Sequence, residues 1–302
     1  MDRTQERSSL TFGPGWLVSD ELAAVLARHP ALEAEGIDRD LICFRSGQDW
    51  SCMSSLGAGC QLIFDARQKE LLVVAGDGLV QIVDGQGSRS ELIDASPDGP
   101  SNLQWILGLS LIGSAVYAYG MCRQVYRRLD DARWQRVDEG IRTRDVAGIK
   151  SMCGADEHEV YAVGFGGEIW VRAGGRWRAV DSPTNVKLEQ IAGTAKGDFV
   201  ICGGAGTVLR GREFSWTHLP QDHVGETIWS VVEFDGTVYM STTTRLMMLN
   251  GDILEDVAGL PADARSFGYL AKGQKSMWSI GHSDLLRFDG QAWARIAPPP
   301  QA

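Results

Sequence analysis

EVYAVGFGGEIWVRAGGRWRAVD, residues 159–181, reads as strand, glycine turn, strand, Gly-Gly turn, strand. Val160, Tyr161 and Val163 suit a pleated surface, and Phe165-Gly166-Gly167 interrupts them. Residues 168–172 alternate polar and apolar side chains, Gly174-Gly175 supplies the positive φ of a tight hairpin, and Trp177 opens the returning strand.

The same phrase recurs. Val160-Tyr161-Ala162-Val163-Gly164 aligns with runs that begin at Leu72, Val116, Val200, Val238 and Met277, at successive intervals of 44, 44, 40, 38 and 39 residues. Trp134, Trp177, Trp216 and Trp293 keep step, each after a polar or glycine turn; the first and fifth units keep the turn without the Trp. Two markers in one phase, with a period near 40 and four short strands per unit, indicate an all-β propeller of four-stranded blades. Such a blade cannot bury both faces alone, so stacking around an axis is what stabilises it. Six regular blades span 57–298, with a tail at 299–302.

Residues 1–56 read as an N-terminal extension. Leu10 to Val18 suit a strand interrupted by Gly13-Pro14-Gly15. Ser19 as N-cap, Asp20 and Glu21 in the first turn, and Leu22, Val25 and Leu26 on one face predict a helix over about 19–34. Residues 41–45 and 50–54 pair as strands across Ser46-Gly47-Gln48. These strands would close the ring with a seventh blade, so seven blades are favoured over six.

Composition narrows the function. The 302 residues carry a formal net charge of −10, which argues against nonspecific nucleic-acid binding and suits a basic protein partner. Six cysteines show no Cys-x-x-Cys, and their expected role is packing. No apolar leader and no 18-residue apolar run occur, so a cytoplasmic protein without membrane contact is expected.

The phrase at 160–177, followed by Pro183, resembles the repeat of bacterial propellers of the photosystem-assembly-factor and Asp-box type. Phe288-Asp289-Gly290-Gln291-Ala292-Trp293 keeps the Asp, Gly and Trp of an Asp-box and lacks its Ser and Thr. A self-contained acidic propeller without a catalytic constellation is also similar to immunity proteins of bacterial toxin–antitoxin pairs. That resemblance implies a non-enzymatic protein, monomeric when alone, that occludes a basic toxin. The alternative is a sialidase-like or lyase-like enzyme or glycan binder, which requires Arg with Asp, Glu or His converging at the axis.

Binding is expected on the face where the loops between second and third strands meet the linkers between blades. Its candidate residues are Phe165, Asp77, Arg123, Arg245, His282, Asp284, Arg144, Asp222 and His223, with Phe165 foremost as an anchor or a channel plug. His282 and Asp284 share a turn, where a hydrogen-bonded turn is favoured over an acid–base pair. His218 and His223 flank Asp222 but fall short of a zinc set, and no cofactor is expected. Residues 94–99 imitate the start of a calcium loop, but its twelfth position is Trp105.

Overall fold

The computed structural model describes residues 10–30, 34–37, 39–129 and 133–300. Among these, the strands form seven four-stranded antiparallel sheets, each built from consecutive strands. Blade 1 holds β1 Thr11–Leu17, β2 Leu22–Arg28, β3 Leu41–Ser46 and β4 Asp49–Ser54. Blade 2 holds β5 Gly59–Asp65, β6 Glu70–Ala75, β7 Leu79–Asp84 and β8 Gly87–Leu92. Blade 3 holds β9 Ile106–Ile112, β10 Ala115–Gly120, β11 Val125–Arg128 and β12 Trp134–Arg136. Blade 4 holds β13 Ile149–Asp156, β14 Glu159–Gly164, β15 Ile169–Ala173 and β16 Arg176–Val180. Blade 5 holds β17 Leu188–Gly193, β18 Phe199–Gly203, β19 Val208–Arg212 and β20 Ser215–His218. Blade 6 holds β21 Ser230–Phe234, β22 Thr237–Ser241, β23 Leu246–Asn250 and β24 Ile253–Asp256. Blade 7 holds β25 Gly268–Lys272, β26 Met277–Gly281, β27 Leu285–Phe288 and β28 Trp293–Arg295. First strands of successive blades touch around the axis, and β1 touches both β5 and β25, so the ring closes.

The recurring phrase is the second strand of each blade. β6 and β10 are buried along their whole length, because a neighbouring blade covers each face. A strand covered on both faces needs an unbroken apolar run and not an alternation. The cores accordingly lie between blades: Ile63, Leu72 and Val74 pack with Leu109, Val116 and Ala118. Polar contacts cross the same boundaries. Buried Arg128 on β11 reaches Glu91 at 2.6 Å and Glu70 at 2.9 Å on blade 2. The fourth-strand Trp has a comparable role, with Trp177 Nε1 donating to Val137 O on the preceding blade at 2.8 Å.

The structure corrects the N-terminal helix. Leu22–Arg28 is β2, paired to β1 and β3. Residues 23–27 are all buried, so their i, i+3, i+4 pattern is part of a continuous apolar run. Pro30 and Ala34 are helical, and the part of the expected helix at 31–33 lies outside the described residues. Blade 1 also supplies the marker Trp that sequence reading did not assign: Trp50 Nε1 donates to Ala297 O of blade 7 at 2.8 Å. This seam has no strand shared between chain ends. It closes through Phe12, Leu17 and Val25 against Trp278, Ile280 and Ile296, with Phe12 N donating to His282 O at 3.0 Å.

The cysteine reading is corrected as well. Cys43 on β3 and Cys52 on β4 face each other in register and form a disulfide. Cys122 and Cys202 are buried thiols, and burial raises both above the usual thiol range. No helix among the described residues is long and apolar enough to cross a membrane.

Candidate functional site

Antiparallel order fixes which loops share a face. In every blade the loop between second and third strands emerges at the same end as the linker to the next blade. On this loop face an arc of apolar side chains crosses from blade 2 to blade 6. Trp105, the residue before β9, lies over Gly76, where a Cβ would meet its Cγ at 3.4 Å. Trp105 O accepts from Met121 N at 2.9 Å. Met121 and Phe165 both close on Gly148, where a Cβ would come within 2.8 Å of Met121 Sδ and 3.3 Å of Phe165 Cε2. Glycine there lets the two side chains meet over the backbone. Lys187 Nζ then sits 5.5 Å from the Phe165 ring and 5.8 Å from the Trp229 ring. Trp229 immediately precedes β21 as Trp105 precedes β9, and Trp105 is 70% exposed against 40% for Trp229.

Trp105 is aimed by its neighbour. Gln104 has φ 152° and ψ 176°, a region open in practice only to glycine, and a cost of about 1–3 kcal/mol is usual there. Three further hydrogen bonds hold the segment in place. Gln104 N donates to Pro100 O at 3.2 Å, the side chain of buried Gln124 donates to Gln104 O at 2.8 Å, and Ile106 N donates to Gly76 O at 2.8 Å.

Inside the arc lie the starts of the innermost strands, which touch one another around the axis. Four successive innermost strands carry a register irregularity that skips their second residue: Cys60, Leu107, Lys150 and Glu189. Bulges re-aim side chains, and here they gather at one level. The Glu189 side chain is only 2% exposed, with Lys187 Nζ at 2.6 Å and Lys150 Nζ at 3.4 Å. Burial, then Glu189 and Cys60, raise the Tyr269 hydroxyl above its ordinary range, although part of that ring faces solvent. The seven innermost strands contain no Arg and no His. The Arg-centred constellation of the enzyme alternative is therefore not built on them.

The candidates named from sequence occupy this face but do not form one pocket. Phe165 is half-buried in the turn Phe165–Gly167, lying across the loop face against Gly148. Arg123, at φ 51°, makes a bidentate pair with Glu168 of that same turn, at 2.7 and 2.5 Å. The Glu168 hydrogen bonds raise the already high Arg123 pKa, so this arginine holds blade 3 to blade 4. Arg245 donates to Asp256 at 2.8 Å and approaches His223 O at 3.4 Å, while His223 Nε2 meets Leu254 O at 2.8 Å. Asp222 is exposed beside it. Arg144 is 83% exposed, 3.6 Å from Asp98, which Arg142 holds at 3.1 Å. Asp77 is exposed and accepts from Leu79 N at 3.0 Å.

His282 and Asp284 part company. His282 is exposed, and its carbonyl serves the seam. Asp284 is buried and accepts from Arg265 N at 3.0 Å, Ser266 N at 2.8 Å and Arg295. Burial alone would raise its carboxyl; Arg295 and the backbone donors outweigh that and hold it below the ordinary range. It is a loop brace within blade 7. The arginines of blade 3 are likewise braced, Arg127 by Glu157 at 2.6 Å and Arg136 by Asp94 at 3.2 Å. Among the described residues no three His, Cys, Asp or Glu side chains converge as a metal set.

Sequence reasoning missed Trp105, Trp229, Lys187 and Tyr269 as site residues. A signal existed. Setting aside the Trp at fourth-strand positions leaves Trp16, Trp105, Trp170, Trp229 and Trp278, and of these only Trp105 and Trp229 are exposed. Both stand one residue before an innermost strand.

No family model matches the chain. The immune protein Tsi7 of Pseudomonas aeruginosa is 40% identical over 193 residues, 63% of this chain and 63% of that protein. The chain thus spans less than two thirds of that relative's length. Among solved structures, the WD40 β-propeller domain of Doa1 superimposes with a TM-score of 0.72 at 11% identity, covering 93% of both chains. YCF48 bound to D1 peptide gives 0.67 at 12% identity over 98% of this chain and 94% of that one. These two likenesses show the fold alone.

Proposed function

We propose that this chain is a non-enzymatic immunity protein that binds a cognate bacterial toxin with its loop face and covers the toxin's active site. The observation that carries the reading is the 40% identity to a protein named as an immune protein. The exposed arc from Trp105 to Trp229 supports it, because aromatic side chains on a rigid frame are typical anchors of protein interfaces. The net charge of −10 favours a basic toxin, since opposite charge speeds encounter. The chain is taken to be monomeric until it meets that partner.

Co-expression tests this. With a toxin domain encoded beside its gene, the chain should restore growth, and the two should co-elute as a complex. A toxin that kills equally in the presence of the chain, and elutes apart from it, contradicts the reading.

A further inference from the structure

The two ends of the arc differ in charge. Lys187 stands over both Phe165 and Trp229. Arg123 covers Trp170, Arg136 covers Tyr126 and Arg45 covers Trp278. Among the described residues no cation stands over Trp105, the most exposed of these rings. Beside it is a carboxylate in the same condition. Trp105 covers Gly76, and the next residue is Asp77. Ser101 Oγ donates to Asp77 O at 3.1 Å, tying the linker that carries Trp105 to that turn. Asp77 Oδ1 takes Leu79 N, and Asp77 has no ion-pair partner among the described residues. The basic residues of the next linker are directed elsewhere, Arg142 and Arg144 both at Asp98.

We propose that Trp105 and Asp77 form a socket for a basic side chain of the bound protein, an arginine by preference. The indole face takes the cation, and the open oxygen of Asp77 accepts a hydrogen bond from it. A guanidinium fits better than an ammonium because it is planar, stacks on an aromatic face and is weakly hydrated. Charge complementarity selects this occupant: an open π-face lies over Gly76 and a carboxylate without an ion-pair partner among the described residues follows at Asp77, on a chain with a net charge of −10. The constrained Gln104 adds pre-organisation, since the ring is already turned outward before any partner arrives. The proposal deepens the docking reading above and rests on it for the biological partner.

The test uses the whole chain and a small probe. Nitrogen-15 indole spectra are recorded during titration with acetyl-arginine amide, with acetyl-glutamine amide as the neutral control and W105F to assign the resonance. A saturable shift of the Trp105 indole is expected with the arginine probe. It should weaken several-fold in D77N, where the asparagine keeps the turn, and the glutamine probe should give no saturable shift. The socket is overturned if Trp105 responds equally to both probes, if D77N titrates like the parent, or if other indoles saturate first. A titration in which the arginine probe gives no saturable shift removes the socket and leaves toxin docking to be judged by co-elution. A positive titration with no toxin complex removes the toxin reading and keeps the socket.

Discussion

The Trp105 end and the Lys187 end of the arc carry similar rings in different states. At one end the aromatic face is bare and its backbone is held in a conformation that costs energy. At the other, Phe165 and Trp229 already share a lysine, and that lysine already answers a buried glutamate. The second arrangement is complete within the chain, and the first is not. Exposed, incompletely satisfied groups on a rigid frame are where a partner gains most, whereas satisfied ones serve the fold.

Four substitutions or conditions separate the two ends. The largest effect is expected for W105A on toxin affinity, a loss of at least about 2 kcal/mol, or roughly 30-fold. Its folding stability, from urea denaturation, should stay within about 0.5 kcal/mol of the parent, because so exposed a ring packs little. Equal toxin binding by W105A and the parent in calorimetry would erase the distinction between the ends.

The scaffold below Trp105 should respond to alkali. Tyr119 on β10 is fully buried against Gly108, and burial pushes its hydroxyl up to about 12. The folded pKa lies above the unfolded one, so the protonated ring stabilises the fold fully below about pH 10. That contribution, roughly 2–3 kcal/mol, is lost as pH rises from there to about 12. Urea midpoints at pH 9 and pH 11.5 should converge in part in Y119F; an unchanged drop would show that other groups carry it.

K187M addresses the opposite end. Removing one of the two cations from Glu189 should lower stability by about 1–2 kcal/mol, less than a fully orphaned buried charge would cost, since Lys150 remains. If K187M were neutral while W105A unfolded the chain, the assignment of the ends would be reversed. The smallest effect is expected for Q104G. Relief of the left-handed backbone, less the extra entropy of glycine, should stabilise the fold by about 1 kcal/mol. Toxin binding should then weaken a few-fold, as the indole is no longer pre-set. Reduced stability in Q104G would mean that Gln104 is not strained.

The fold was legible because blade grammar repeats. The second-strand phrase and the fourth-strand Trp obey the same packing demand in each blade, so period and phase survive in one sequence. β2 was not legible, because 23–27 is buried on both faces and such a run has no period of two to distinguish it from a buried helix. The Cys43–Cys52 pairing depends on the register of β3 against β4, which spacing alone does not determine. Asp77 and Phe165 could be placed on the loop face from sequence because turns announce themselves by glycine. Trp105 was not, because its place one residue before an innermost strand recurs as Trp only at Trp229, and its orientation depends on Gln104 and on a glycine of the blade before.

Hydrogen–deuterium exchange of the chain with and without the proposed toxin tests the docking face most directly. Protection is expected at 97–105, 121–124, 142–148, 165–168 and 225–229, with the strongest effect around Trp105. Protection confined to the opposite-face turns at 66–69, 85–87, 113–114, 174–175 and 251–252 would contradict it.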